Sequence, residues 1–422
     1  MSKKISFYLD GTWNTPDSQT NVYKLFSITK GEPTGPDLKK LEYPAWKKIY
    51  HYINDKLFDE DIDHHRLDQQ FDKLKNEKSI RYYDLGVGTR FFNRIRGGVF
   101  GKGVSENISQ AYYFLSQVWE PGDEIYVFGF SRGAYTARSL VGLLDLIGLL
   151  EQKSARYDKN RTQVISFLHK HIEYLHNQNQ KQLGYNYKNL TKPSKPELLE
   201  NIPKSRQNIL VKFIGVWDTV GSLGIPNRFK FFMQDFIFEV RETLGNTELC
   251  NNVEYAYHAM AIDEHRVDFQ VTPWTYPNDS TQSPEQLKEV EQCWFVGAHA
   301  NVGGGYNGNH LSDFAAQWLH KKANSVGLKF SHPYQINAKA LDSKVRNSYA
   351  EFAGRLHQFF NKPVLRDINF SSPAAAGQTV NETIHPSVWN YYLHASDYQP
   401  KNIPNDIVAM HLSTNKDNDP VV

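Results

Sequence analysis

The 422-residue chain is nearly balanced in charge, with 48 basic and 46 acidic residues and a formal net charge of +2. That balance argues against the strongly basic footprint of a nucleic-acid-binding protein. Its two cysteines, Cys250 and Cys293, make no disulfide framework, and we expect buried thiols in a reducing compartment.

The first ten residues include Lys3 and Lys4 but no sustained apolar stretch, so we expect no secretory signal. The longest apolar run, residues 140–150, is interrupted by Asp145. It is shorter than the roughly 20 residues that span a bilayer. We therefore expect a soluble protein, cytoplasmic in the cell that makes it.

Apolar runs predict five strands, at residues 5–9, 80–84, 125–128, 209–217 and 291–298. Helical patterns alternate with them, which indicates an α/β fold with a mostly parallel central sheet and helices on both faces. The polar stretches at about 43–79 and 152–206 interrupt this pattern and are predicted to be partly helical insertions. We expect one catalytic domain over residues 1–395 and a C-terminal tail over residues 396–422.

A glycine-rich stretch at residues 97–103 precedes a predicted helix. It lacks the Gly-Lys-Ser/Thr ending of a nucleotide-binding loop, and no strand directly precedes it. His64 and His65 have no further ligand at a convincing spacing. We therefore expect neither a cofactor nor a bound metal.

The most informative motif is Gly129-Phe130-Ser131-Arg132-Gly133, which lies between a predicted strand and a predicted helix. In that context the pattern is typical of a nucleophile elbow, a strained turn that exposes a serine hydroxyl above the sheet. The helix after it supplies backbone N–H groups that can bind a developing oxyanion.

Asp218 and His299 each follow another predicted strand, as Ser131 does. Open α/β sheets carry their sites at the carboxyl ends of strands, and the order Ser, Asp, His is that of α/β hydrolases. The sequence thus predicts a Ser131–His299–Asp218 triad. The predicted oxyanion donors are the N–H of Arg132 and one from the loop after the first strand, Gly11 or Thr12.

Two carboxylates leave alternatives open. Asp263 competes with Asp218 as the triad acid, although residues 259–266 are predicted to form an amphipathic helix in which it would be a salt-bridge partner. Asp10, just beyond the first strand, is interpreted as capping its own turn. The alternative for Asp10 is a ligand in a metal-dependent phosphohydrolase.

Five blocks in order carry a resemblance to a known family: residues 7–14, 129–138, 215–221, 258–266 and 294–306. Together they resemble the catalytic domain of the first family of type VI secretion lipase effectors. The match spans most of residues 1–320 and includes residues 384–388. The resemblance implies an α/β-hydrolase fold and a phospholipase whose triad falls on Ser131, Asp218 and His299.

The resemblance also implies where the protein acts. Related effectors are made in the producing cell's cytoplasm and injected into a neighbour's periplasm, with a secretion component and an immunity protein as partners and phospholipid as substrate. One position departs from the family. Asn301 stands where relatives usually have an aspartate before Val-Gly-Gly-Gly-Tyr, so any dependence on that charge is open.

Residues 228–239 place aromatic side chains on most sides of a predicted helix. Such a helix is either an interfacial lid or a buried core helix; the lid residues would be Phe231, Phe232, Phe236 and Phe238. A phospholipase A of the effector type is the favoured function. The alternatives are an esterase or thioesterase acting on soluble acyl substrates, and a non-catalytic interaction module on a hydrolase scaffold.

Overall fold

The computed structural model describes residues 2–11, 14–35, 64–86, 99–150, 205–206, 208–220, 249–275, 286–351, 362–368, 379–395 and 397–414. Thr12, the aromatic segment at residues 228–239 and most of both predicted insertions lie outside these ranges. The predictions that concern them stay predictions.

The described residues contain ten strands, eight of which form one sheet. In chain order they are β1 Lys4–Leu9, β2 Glu32–Thr34, β3 Ser79–Asp84, β4 Glu124–Phe130, β5 Leu149–Leu150, β6 Ser205–Arg206, β7 Val211–Trp217, β8 Val253–Ala261, β9 Glu289–Phe295 and β10 Glu382–Ile384. The large sheet has the order β10-β9-β8-β7-β4-β1-β3-β2, and all its described pairings are parallel. β5 and β6 pair separately and antiparallel.

Nine α-helices lie within the described ranges: α1 Asn21–Ile28, α2 His64–Lys75, α3 Val99–Val118, α4 Arg132–Ile147, α5 His299–Gly303, α6 Ser312–Ser325, α7 Ser348–Glu351, α8 Pro386–His394 and α9 Asn405–Thr414. They cover both faces of the sheet. Phe7 and Val127 belong to an apolar cluster with α3 and α4, whereas Tyr8 and Phe128 belong to one with α1 and α6. Because both faces are buried, the strands are continuous apolar runs rather than alternating ones. This architecture confirms the predicted α/β fold.

The five strands predicted from the sequence are β1, β3, β4, β7 and β9, with ends that differ by a few residues. One prediction is wrong: residues 259–261 are the end of β8, not part of an amphipathic helix, and residues 262–266 form turn and coil. β8 pairs with β7 on one side and β9 on the other, with Ala259 opposite both Trp217 and Cys293. Partners on both sides outweigh the helical preference of its alanines and methionine.

Residues beyond 395 contact the rest of the fold. Tyr398 donates its hydroxyl hydrogen to Asp263 at 2.9 Å, and Ile403 is buried with Met260 and Trp294 in a third apolar cluster. The division into a domain over residues 1–395 and a tail stays a prediction. In the described part of the chain, no helix has the length and apolar character needed to cross a bilayer. The two cysteines form no disulfide with each other; Cys293 is buried and Cys250 partly so.

Candidate active site

Ser131 lies in the turn between β4 and α4, with φ 58° and ψ −123°, a strained conformation for a residue with a side chain. The two flanking glycines make this turn possible. A Cβ on Gly129 would lie 2.4 Å from the carbonyl oxygen of Gly133, and one on Gly133 would lie 2.1 Å from that of Leu9. No side chain fits at either position. The Gly-x-Ser-x-Gly spacing is therefore required by the close packing of β4, α4 and the end of β1.

The ends of β4, β7 and β9 bring three side chains into one hydrogen-bonded chain. His299 Nε2 lies 2.8 Å from Ser131 Oγ, and His299 Nδ1 lies 2.5 Å from Asp218 Oδ2. All three side chains are buried. The serine hydroxyl can donate to Nε2 while Nδ1–H donates to the carboxylate, which is the arrangement a general base needs. The structure thus brings together the three residues that the sequence predicted as a triad.

Asp218 is fully buried, also has a positive φ, 40°, and accepts four hydrogen bonds. Besides His299, its donors are the backbone N–H of Ala261 at 2.8 Å and two guanidinium nitrogens of Arg366, one on each oxygen, at 2.6 and 3.0 Å. Burial opposes ionisation, but the Arg366 charge and the His299 bond hold the pKa of Asp218 far below its usual range. Asp218 is therefore a fixed carboxylate.

The His299 imidazole is enclosed by aromatic rings. Phe130 lies 4.6 Å and Phe269 lies 5.1 Å from it, between ring centroids. Burial lowers the pKa of His299, and Asp218 offsets this only in part. The imidazole is consequently neutral at physiological pH and ready to accept a proton. Gly303 permits this packing, because a Cβ there would lie 2.0 Å from the Phe130 ring.

Glu264 supports the backbone of His299, whose N–H donates to its Oε2 at 3.3 Å. The carboxylate also receives two hydrogen bonds from the Arg266 side chain and one from the hydroxyl of Ser348. Burial alone would raise the pKa of Glu264, but the hydrogen bond and charge of Arg266 outweigh it and lower the pKa to about 2. Glu264 thus fixes the start of α5, which carries His299.

The loop after β1 borders Ser131, since a Cβ on Gly11 would lie 3.2 Å from Ser131 Cβ. The backbone N–H of Gly11 donates to Oδ1 of Asp10 at 2.7 Å. Oδ2 of Asp10 accepts from Thr20 and Tyr83 at 2.7 and 2.8 Å. These bonds give Asp10 the turn-capping role that the sequence favoured.

The sequence predicted Gly11 or Thr12 as the oxyanion donor from the loop after β1. The Gly11 N–H is engaged by Asp10, and Thr12 lies outside the described residues. Arg132, the third predicted donor, is the first residue of α4, directly after Ser131. The described residues hold no group of three or more His, Cys, Asp or Glu side chains arranged to bind a metal ion.

Asp263 and His258 hold backbone elements. Asp263 Oδ2 accepts from the N–H of Gly297 at 2.7 Å and from the hydroxyl of Tyr398, and burial raises its pKa. Within the described residues Asp263 makes no hydrogen bond to His299, which bonds Asp218 instead. His258 Nε2 accepts the N–H of Thr219 at 3.0 Å, and burial lowers the pKa of His258 to about 3. His258 therefore acts as a neutral acceptor next to Asp218.

Comparison with known proteins assigns the family. A model described as the catalytic domain of Tle1-like phospholipase effectors of the type VI secretion system (T6SS) matches residues 3–322. The chain belongs to this family. The matched range contains the elbow, Asp218 and His299, and it agrees with the resemblance found in the sequence.

Individual relatives of this Tle1-like chain are distant. The uncharacterized protein YEL023C of Saccharomyces cerevisiae is 28% identical over 219 residues, which cover 48% of this chain and 28% of that protein. A crystal structure of an uncharacterized protein from Pseudomonas aeruginosa is 16% identical, with a TM-score of 0.41, over 85% of this chain and 50% of that one. A structure of the Tle1 effector bound to the VgrG spike is 16% identical, with a TM-score of 0.28, over 74% and 53%. The chain spans about half or less of each.

Asn301, where the Tle1-like pattern usually has aspartate, has a defined place in the structure. Its Oδ1 accepts the backbone N–H groups of Ala298 at 3.1 Å and Arg346 at 3.0 Å, and its Nδ2 donates to Asn309 at 3.0 Å. An aspartate could accept the first two bonds but could not donate the third. The asparagine thus caps the start of α5 without adding a negative charge beside His299.

Sequence reasoning missed two residues at this site: Arg366, which bonds Asp218, and Glu264, which bonds His299. Arg366 is 148 positions from Asp218 in a short segment without periodicity, so no spacing rule connects them. Glu264 lies in one of the blocks that carry the family resemblance, but the helical interpretation of residues 259–266 gave it no role at the site. Reading that apolar run as a buried strand would have placed Glu264 just past a strand end.

Proposed function

We propose that this protein is a serine esterase of the phospholipase A type that cleaves acyl esters of phospholipids. The observation that carries the proposal is the unbroken hydrogen-bond chain from Ser131 Oγ through His299 to Asp218, at a strained elbow. Membership of the Tle1-like phospholipase effector family supports phospholipid as the substrate. A scaffold that only bound partners would need none of these contacts.

In the proposed reaction His299 Nε2 takes the proton of Ser131 as Oγ attacks the ester carbonyl carbon. The tetrahedral oxyanion is bound by the N–H of Arg132 and by one N–H of the loop after β1. His299 returns its proton to the departing alcohol, which leaves as a lysophospholipid. Water, activated by the same imidazole, then releases the fatty acid from Ser131.

Two features of the site favour this chemistry. The low pKa of Asp218 keeps a negative charge beside the imidazolium that forms during attack. The Phe130 and Phe269 rings limit access of water to His299, which strengthens the electrostatic interactions of the triad. For the oxyanion, we propose that the amide of Gly11 is released from Asp10 or that the amide of Thr12 is used.

The family also supports a role in type VI secretion. We propose that the protein is made in the cytoplasm, associates with a secretion component and is delivered to a target cell, where an immunity protein would oppose it. Its antibacterial role and periplasmic site of action are part of the same proposal.

Fluorophosphonate labelling followed by peptide mass spectrometry tests the nucleophile. We expect one modified serine, Ser131, and no labelling of Ser131→Ala. As a matched control, Ser139→Ala removes a buried hydroxyl from α4, about two turns beyond Ser131, and should leave labelling intact. Modification of another serine, or labelling that persists in Ser131→Ala, would reject the proposed nucleophile.

A further inference from the structure

Arg366 is a fully buried arginine with a relative exposure of 1%, and it contacts the triad acid directly. Its two terminal nitrogens each bind one oxygen of Asp218, and they also donate to the carbonyls of Ala261 at 2.7 Å and Phe269 at 2.5 Å. A guanidinium presents its donors in a fixed plane, so this contact fixes both the position and the rotation of the carboxylate.

We infer that Arg366 is a positioning residue for the proposed triad, one that sets both the geometry of Asp218 and the pH at which His299 becomes a base. This inference rests on the proposed function. The acid of a serine triad has a carboxylate whose charge favours protonation of the histidine. Here the same carboxylate lies between His299 and the guanidinium of Arg366.

The direction of the effect follows from the charges. Arg366 neutralises part of the Asp218 charge, which makes the imidazolium form of His299 less favourable and lowers its pKa. Without Arg366, the remaining cationic partner of Asp218 among the described residues would be His299, so the buried carboxylate would favour protonated His299. The free enzyme would then hold His299 as an inactive imidazolium up to a higher pH.

Other groups around His299 act on the same equilibrium and must be kept unchanged. Glu264 bonds its backbone, and the charge of Glu264 raises the pKa of His299 while the charge of Arg266 lowers it. Among the described residues, Ser131, Phe130 and Phe269 also contact the imidazole, and none of them carries a charge. Of the charges around the triad, Arg366 is the cation bonded to both carboxylate oxygens of Asp218.

The segment that carries Arg366 is tied to the end of β8. The N–H of Val364 donates to the carbonyl of His265 at 3.0 Å, and the Asn402 side chain donates to the carbonyl of Arg366 at 3.2 Å. The neighbouring Val364 and Leu365 side chains are exposed. Arg366 is therefore directed inward from a surface segment, at the energetic cost of burying a cation.

The test compares the pH dependence of the fluorophosphonate labelling rate in the purified full chain. Arg366→Met removes the charge, and Arg366→Lys keeps it with fewer donors. Arg346→Met is the control, because it removes the same charge from an exposed ion pair with Glu351. Melting temperature and far-ultraviolet circular dichroism establish that each variant is folded.

We expect the acid limb of the rate profile to move to higher pH by about one unit or more in Arg366→Met, because a nearby charge shifts a pKa by that amount. Arg366→Lys should label more slowly but keep the wild-type limb, and Arg346→Met should match the wild type. A slower Arg366→Met with an unshifted limb would overturn the inference and leave Arg366 as a structural residue only.

Two further outcomes are decisive. If Arg366→Met does not fold, Arg366→Lys tests the inference, and a displaced limb in that charge-retaining variant would overturn it. If the wild-type protein is not labelled at Ser131, the proposed function fails instead. Labelling needs no lipid, so a protein that labels normally but does not cleave phospholipid would refute the substrate while leaving the role of Arg366 intact.

Discussion

Replacing Asp218 by asparagine should damage both activity and stability, and the contacts of the carboxylate give the size of each effect. Asparagine has one acceptor oxygen, whereas Asp218 uses two to receive four hydrogen bonds. Its amide would face a hydrogen on His299 or on Arg366. Reversal of the His299 tautomer then costs about 10⁴ in kcat, or about 5 kcal/mol of transition-state stabilisation.

The effect on stability comes from Arg366, which would lose Asp218 as its ion-pair partner. Removing one partner of a buried ion pair typically costs about 3 to 5 kcal/mol. Asp218→Asn should therefore unfold at markedly lower urea concentration than the wild type. Adding Arg366→Met to it removes the stranded charge and should restore part of that stability without restoring activity.

The assay is hydrolysis of a soluble short-chain ester at a temperature at which circular dichroism shows each variant folded. Asp263→Asn is the matched control, because Asp263 is a partly buried carboxylate that bonds the same strand-end region through Gly297. It should lose about 1 kcal/mol or less, since an amide oxygen can still accept those bonds, and keep activity within a few-fold. A folded Asp263→Asn with the larger loss of kcat would refute the assignment of Asp218 as the acid.

Three further predictions concern the elbow, the loop after β1 and the aromatic segment. Gly133→Ala should disrupt the elbow because its Cβ would overlap the Leu9 carbonyl. Gly142 lies in the same helix, but a Cβ there would lie 3.9 Å from its nearest neighbour, so Gly142→Ala should stabilise α4 by about 1 kcal/mol. Urea unfolding and ester hydrolysis measure both effects. Burial raises the pKa of Asp10 to about 6, above its ordinary 3.8, so the folded state takes up a proton as the pH falls through this range and gains stability. Asp10→Asn should remove that gain of about 3 kcal/mol, and an unfolding midpoint with the same pH dependence between 7 and 4 in the wild type and in Asp10→Asn would contradict this. If the aromatic segment is an interfacial lid, serine substitutions in it should reduce hydrolysis of vesicles far more than hydrolysis of a soluble ester. The residues to change are Phe231, Phe232, Phe236 and Phe238. Equal losses on the two substrates, together with a lower melting temperature, would indicate core burial instead.

Local sequence was enough to predict the elbow and the three side chains of the site. Ser131 follows a strand of apolar residues and lies between glycines, a pattern with few structural alternatives. Asp218 and His299 each end an apolar run, and parallel strands bring such ends together at one edge of a sheet. These predictions depended only on the way in which any parallel α/β sheet brings its strand ends together.

Where the sequence misled, the deciding contacts were distant in the chain. Residues 259–261 are apolar on both faces because both faces of β8 are covered, with Ala259 and Ala261 in one apolar cluster and Met260 in another. A short buried strand of this kind cannot be told from a helix by periodicity. The Arg366–Asp218 pair and the Glu264–Ser348 bond join residues 148 and 84 positions apart. Neither leaves a pattern within a single segment.

Mass spectrometry of phospholipid vesicles incubated with the purified protein tests the central claim most directly. The wild type should convert diacyl phospholipid into lysophospholipid and fatty acid over time, and Ser131→Ala, folded to the same melting temperature, should leave the lipid unchanged. Intact phospholipid after incubation with wild-type protein that a fluorophosphonate labels at Ser131 would contradict the phospholipase assignment, as would equal hydrolysis by Ser131→Ala.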